Sequence, residues 1–317
     1  TNSPDNAQLR APFQGVSINS FFLNKSDAKS SYDSLQISLQ RRLAGQLQIL
    51  GSYTFAKSID DASGAGGGAG VSGVVNPGAV GDTASVPGSQ LDRRANRGLS
   101  DFNRAHRFVA SYVWDLPEAP FLHSVFSNWQ TSGILTAMSG LPVDIVDTGA
   151  GSLYGLANGS NPLARSSFAP GATCRTAREN VPAGYFFNPL AFRSPVVLPG
   201  QTIPSSGGSA MAGVRGTDIG DVGRNCLSGP RQANLDLAMT KRFQWRESQT
   251  LELRAEFFNV LNHPNLANPI SNLNAVIPSG GSIDPNTGMV LRPGNFGKII
   301  STSSNPRLVQ LGLRFQF

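Results

Sequence analysis

No stretch of the 317-residue chain approaches the roughly 20 consecutive apolar residues that a membrane-spanning helix needs, so a helical membrane protein is excluded. Charge is scarce too. Asp, Glu, Lys and Arg make up 15% of the residues, well under the roughly 25% usual in soluble domains. There are two cysteines, which with this length excludes a disulfide-stapled miniprotein. The three histidines, His106, His123 and His263, stand far apart with no metal-ligand spacing, and no metal or cofactor is expected. The first residues, Thr1-Asn2-Ser3-Pro4-Asp5, show neither an initiator Met nor a charged segment followed by an apolar one. An export signal is therefore expected to have been removed or to lie outside this chain.

Catalytic signatures are missing as well. The glycine-rich run 64–70 lacks the Gly-Lys-Ser/Thr ending of a phosphate-binding loop and reads as a flexible connection. Ser26-Asp27-Ala28-Lys29 has Ser-x-x-Lys spacing without its partner motifs, and reads as a polar turn. No Gly-x-Ser-x-Gly occurs, and no nucleophile, base and acid converge, so the chain is read as no enzyme. The net charge of +6 raises nucleic acid as a partner, but the basic residues fall in scattered pairs such as Arg41-Arg42, Arg93-Arg94 and Lys241-Arg242. Isolated pairs fit a solvated surface, and no nucleic-acid partner is expected.

What the chain does have is alternation of period two, the mark of a strand with one apolar and one polar face. Leu35, Ile37 and Leu39 alternate with Ser34, Gln36, Ser38 and Gln40; after a short turn, Leu47, Ile49, Gly51, Tyr53 and Phe55 alternate with polar residues, Leu50 being the exception. Phe108, Ala110, Tyr112 and Trp114 form a third row, and the segment 129–139 a less regular fourth. Leu235, Leu237 and Met239 lead through a tight turn at 244–248 to Leu251, Leu253, Ala255 and Phe257, which face away from Glu252, Arg254 and Glu256. The last row is Val309, Leu311, Leu313, Phe315 and Phe317, against Gln310, Gly312, Arg314 and Gln316. A weaker run at 16–22 brings the expected count to about eight strands.

Connection lengths separate the architectures. Short turns alternate with long connections at 59–103, 140–232 and 260–307, so an up-and-down sheet would carry tight turns at one end and bulky loops at the other. Transmembrane β-barrels have that asymmetry, with the long loops extracellular. Trp114, Trp129, Phe243, Trp245 and Phe317 fall at the short-turn end, while Tyr53, Phe55 and Phe257 fall toward the long loops, as two interfacial aromatic belts require. The fold expected is all-β, an antiparallel transmembrane barrel in contact with outer-membrane lipid. A soluble β-sandwich explains the alternation equally well, but not the loop asymmetry or the belts. Glu252, Arg254, Glu256 and Arg314 then read as a lumen-facing polar ladder, with ligand contact as the alternative. Cys174 and Cys226 lie in the longest loop, where an oxidising compartment favours a bond between them over two free thiols.

The segments Tyr32-Asp33-Ser34-Leu35-Gln36-Ile37, Gly51-Ser52-Tyr53-Thr54-Phe55-Ala56, Asp101-Phe102-Asn103-Arg104-Ala105-His106-Arg107-Phe108, Asn234-Leu235-Asp236-Leu237, Arg254-Ala255-Glu256-Phe257-Phe258-Asn259 and Asn262-His263-Pro264-Asn265 resemble the barrel of TonB-dependent receptors of the Oar-like group of Acidobacteria. The resemblance implies an active transporter of a Gram-negative outer membrane, with a barrel of roughly 22 strands and an N-terminal plug. Residues 1–317 then correspond to the C-terminal portion of such a barrel. TonB would act only through a plug domain that has no counterpart here, and barrel-assembly machinery would meet the C-terminal Phe317. The solute is not named by the sequence, and the long loops are where its contacts are expected. A passive pore, an adhesin or a structural surface barrel is the alternative, and upstream sequence discriminates between them.

Overall fold

A computed structural model describes residues 9, 28–43, 46–61, 93–117, 127–147, 150, 165–195, 220–246 and 249–317. Seven long strands carry the architecture: β1 Ser30–Leu43, β2 Leu47–Asp60, β3 His106–Asp115, β4 Trp129–Met138, β5 Gln232–Arg246, β6 Gln249–Phe258 and β7 Leu308–Gln316. They form one antiparallel sheet in chain order, and a two-residue strand, Gly98–Leu99, adds to β2. Among the described residues β1 and β7 are the edges, and the run 16–22 expected as a further strand lies outside them. The turn after β5 is tighter than the sequence implied. Pairing continues to Arg246 against Gln249 across an irregularity at Gln244/Arg246, because the ladder resumes once one residue is skipped.

Register turns seven alternating patterns into two continuous faces. Leu39 stands opposite Gly51, Gly51 opposite Ala110, Ala110 opposite Leu135, and Leu135 opposite Leu235. Farther along, Met239 pairs with Ala255 and Ala255 with Leu311. Each strand therefore points its apolar row the same way, and a slip of one residue anywhere would turn a whole row over. Gly133 marks a packing need within this face: a Cβ there would come within 2.7 Å of both Tyr112 and Leu237. The glycine leaves room for Tyr112 to lie across β4, where its hydroxyl reaches Thr131 Oγ1 at 3.3 Å.

No layer covers that apolar face among the described residues. Leu253 is 42% exposed, Leu313 69% and Leu311 78%. In a sandwich these side chains would be the core; here they stand bare among the described residues, as a face turned to lipid does. The buried core lies elsewhere, in the long connections. Val143, Ile145, Phe187, Phe192, Leu227, Leu273, Val276 and Phe296 come together, with Phe187, Phe192 and Phe296 meeting edge to face at centroid distances of 5.2–6.1 Å. Burial of each such ring contributes about 1.5–3 kcal/mol.

Candidate functional site

The short turns lie at one end of the sheet and the long connections at the other, where they fold into a cap. Its second and third connections interlock through backbone bonds such as Val146 N to Ser271 O, Leu273 N to Val146 O and Phe186 N to Gly297 O, each 2.8–3.1 Å. Cys174 and Cys226 are joined as a disulfide within it, their Cα atoms 5.6 Å apart. The first connection is tied in by charge. Arg224, buried, donates to Asp60 Oδ1 at 2.5 Å and to Asp101 Oδ1 at 3.1 Å, while Asn225 Nδ2 donates to Leu99 O and Asp101 Oδ1, both at 2.6 Å. Burial disfavours the charge on Arg224, yet Asp101 and Asp60 outweigh it and hold its pKa above the ordinary value. Beside it, Arg165 Nε lies 3.5 Å from Asp144 Oδ2. Burial pushes the Asp144 carboxyl up, against the opposing pull of Arg165, and pushes Arg165 down, against the pull of Asp144.

Where the cap meets the polar face, a cleft of about 580 Å³ opens over the loop ends of β4–β7. Its floor is the top of the polar rows: Thr136 opposite Asn234, then Asp236, Phe258, Leu308 and Gln310. Its wall comes from the third connection, through Asn259, Asn265 and residues 303–306. The wall is held by its own amides. Asn265 Oδ1 accepts from Ala233 N at 2.7 Å and its Nδ2 donates to Ser304 Oγ at 3.2 Å; Gln232 Nε2 donates to Ser303 Oγ at 3.0 Å. Asn259 ends β6 in the left-handed region, at φ 48°, and its side chain bonds both His263 N and His263 O. Strand pairing therefore stops at Asn259, because an asparagine that turns the chain and satisfies the turn's own backbone groups ends the ladder. The sequence reading did not find the cleft. The signal available was the density of Asn, Gln and Ser around 259–265 and 303–310.

The polar ladder is on the same face, nearer the turns. Glu252 stands opposite Arg314 and accepts from Arg242 Nε at 3.0 Å, while Arg254 Nη2 lies 2.5 Å from Glu256 Oε1. Glu252 is paired with Arg242 and Arg254 with Glu256, and none of Glu252, Arg254, Glu256 and Arg314 lines the cleft. A second hollow of about 740 Å³ opens at the turn end, among Asp115, Gln130, Thr240 and Arg242. Trp114, Trp129 and Phe243 stand on the apolar face at that end, with buried Lys241 beneath Trp129 and Phe243, its Nζ donating to Ser127 O. Phe317 follows β7 and stacks on Phe315 at 6.1 Å; the side chain of Trp245 lies outside the described residues. At the loop end Tyr53 and Phe55 flank His106, with Tyr53 Oη 2.8 Å from His106 Nδ1.

No curated protein and no solved structure matches the chain. Among known families, the outer membrane beta barrel domain matches residues 1–310. A single antiparallel sheet with one bare apolar face, one polar face and all its long connections at one end is what that family builds, and this chain is a member of the outer membrane beta barrel domain family, located in the outer membrane.

Proposed function

We propose that the protein is a TonB-dependent receptor whose cap captures a bulky solute outside the cell and passes it along the polar face into the periplasm. The observation that carries this reading is the convergence of three long connections into a folded cap over the polar face, with a concave hollow at each end of that face. A receptor that selects its solute needs a rigid mouth, and a core with a disulfide gives one. Strand direction supports a larger barrel. Among the described residues, seven antiparallel strands leave β1 and β7 both running from the cap toward the turns, so joining these two directly would make a parallel seam. An odd number of further strands removes it, and a barrel of roughly 22 strands would need about fifteen. The energy would come from TonB acting on a plug outside this chain, and Phe317 would address the strand to the assembly machinery. No catalytic step is part of the reading: His106→Ala and His263→Ala are expected to leave function intact.

Deleting tonB in cells that carry the intact gene tests the proposal. Energy-dependent accumulation of the solute should disappear in the deletion strain, together with any growth that depends on it. Uptake that proceeds unchanged without TonB would replace this reading with a passive pore.

A further inference from the structure

The cleft beneath the cap offers a particular hydrogen-bonding chemistry that the framework does not consume. Gln310 and Thr136 make no side-chain bond within the described protein, and neither does the amide of Asn305. Asp236 Oδ1 accepts from Asn234 Nδ2 and from Asn259 N, each at 2.8 Å, which leaves Oδ2 open. These free groups surround Phe258, which stands on the polar face, 39% exposed. A large aromatic on the polar side of a strand row breaks the alternation that governs the sheet, and packing of the apolar face does not require it.

Charge narrows the class of ligand. No lysine or arginine lines the cleft among the described residues. The guanidinium bonded to its rim, Arg104, is spent on Ser139 O at 2.6 Å and Gln232 Oε1 at 2.9 Å. An anion would find no cation there and would meet Asp236. A lone carboxylate without companion ligands does not hold a bare metal ion, and an anionic chelate meets the same want of cations. What remains is a neutral ligand with many groups that both donate and accept, and with an apolar flank for Phe258.

We propose that this cleft binds a neutral oligosaccharide, with ring C–H groups on Phe258 and hydroxyls shared among Asp236 Oδ2, Gln310, Thr136 and Asn305. The proposal rests on the uptake reading for what happens after capture. A peptide also donates and accepts, but each residue gives one fixed donor and one fixed acceptor, a poorer match to a carboxylate oxygen and three amide or hydroxyl groups on one small patch.

The test is calorimetric titration of the full-length protein in detergent with malto-, cello-, manno- and xylohexaose, with an oligogalacturonate of the same length and hexaalanine as comparisons. At least one neutral hexasaccharide should bind saturably, with neither comparison doing so. Gln310→Ala and Thr136→Val should each weaken binding about five- to tenfold, the loss of one hydrogen bond to the ligand. Phe258→Ala should weaken it at least tenfold. Gln310 and Thr136 support nothing else, so their variants should keep the parent's thermal unfolding midpoint. Silence from all four neutral sugars, tighter binding of the peptide or the anionic sugar, or sugar binding indifferent to Gln310→Ala would overturn the proposal. Sugar binding in a protein whose cells take up that sugar without TonB would defeat the uptake reading alone. TonB-dependent uptake of something else, with no sugar bound, would defeat this one alone.

Discussion

Arg224 Nη1 donates to Asp60 Oδ1 at 2.5 Å across 164 residues of chain, joining the loop end of β2 to the far side of the cap. Both groups are buried, and Asp101 completes the cluster from the first connection. Removing Arg224 takes the buried guanidinium away from Asp60 and Asp101, although Asn225 Nδ2 still donates to Asp101. Arg224→Met is therefore expected to destabilise the cap by about 3–5 kcal/mol. Thermal unfolding followed by protease cleavage within the cap would register the loss, while heat-modifiable migration of the sheet stays as in the parent. A melt unchanged within about 0.5 kcal/mol would show that solvent already screens the cluster.

Reduction of the Cys174–Cys226 bond should loosen the cap without opening the sheet. The bond spans a sequence separation of 52 residues, and a closed loop of that size restricts the unfolded chain by about 4 kcal/mol in the chain-entropy treatment. Treatment with dithiothreitol, or a Cys174→Ala, Cys226→Ala double variant, should speed proteolysis between the two positions by orders of magnitude. Cleavage at the parent's rate would mean that the apolar core holds the cap unaided.

The sheet was legible in the sequence because a strand in lipid must keep every second side chain apolar, and seven rows obey that rule. Leu50, Val109, Val113, Ile134, Met138, Phe258 and Leu308 nonetheless put apolar side chains on the polar face, and of these Met138, Phe258 and Leu308 line the cleft. The cap was not legible. Val143, Phe192 and Phe296 meet across more than 150 residues with no period to announce them, within segments whose Gly, Pro, Ser and Asn content signals loop. Its core is set by tertiary contact, which local patterning does not encode. Alternation alone puts Glu252, Arg254, Glu256 and Arg314 on one face, but the ionic knot of Asp60, Asp101, Asp144, Arg165 and Arg224 joins positions that no spacing relates.

The bare apolar face predicts how the protein responds to charge placed in lipid. Leu253, near the middle of β6 and opposite Leu313, should tolerate arginine poorly, at a cost of about 2–4 kcal/mol in a bilayer. Gln40→Arg, on the polar face of β1, should change stability by no more than about 0.5 kcal/mol. Urea titration of the refolded protein in lipid vesicles compares the two. Equal costs would mean that both faces meet the same medium, and the assignment of lipid to the leucine face would fall.

Asp144 gives the cap a pH dependence whose sign follows from its surroundings. Burial raises its pKa, and the nearby Arg165 lowers it by less. A carboxyl raised in the folded state favours the protonated form, so its contribution to stability is full below the ordinary value of about 4 and is lost as pH rises through the raised one. Asp144→Asn removes that titration while leaving Asp60 and Asp101 in place, so their effects cancel in the comparison. The cap's unfolding midpoint in the parent, minus that in Asp144→Asn, should therefore fall as pH is raised from about 3 toward neutrality. A difference that grew with pH would mean that Arg165 wins over burial and holds Asp144 ionised, and the two residues would then act as a net stabilising pair, not as a charge kept at a cost.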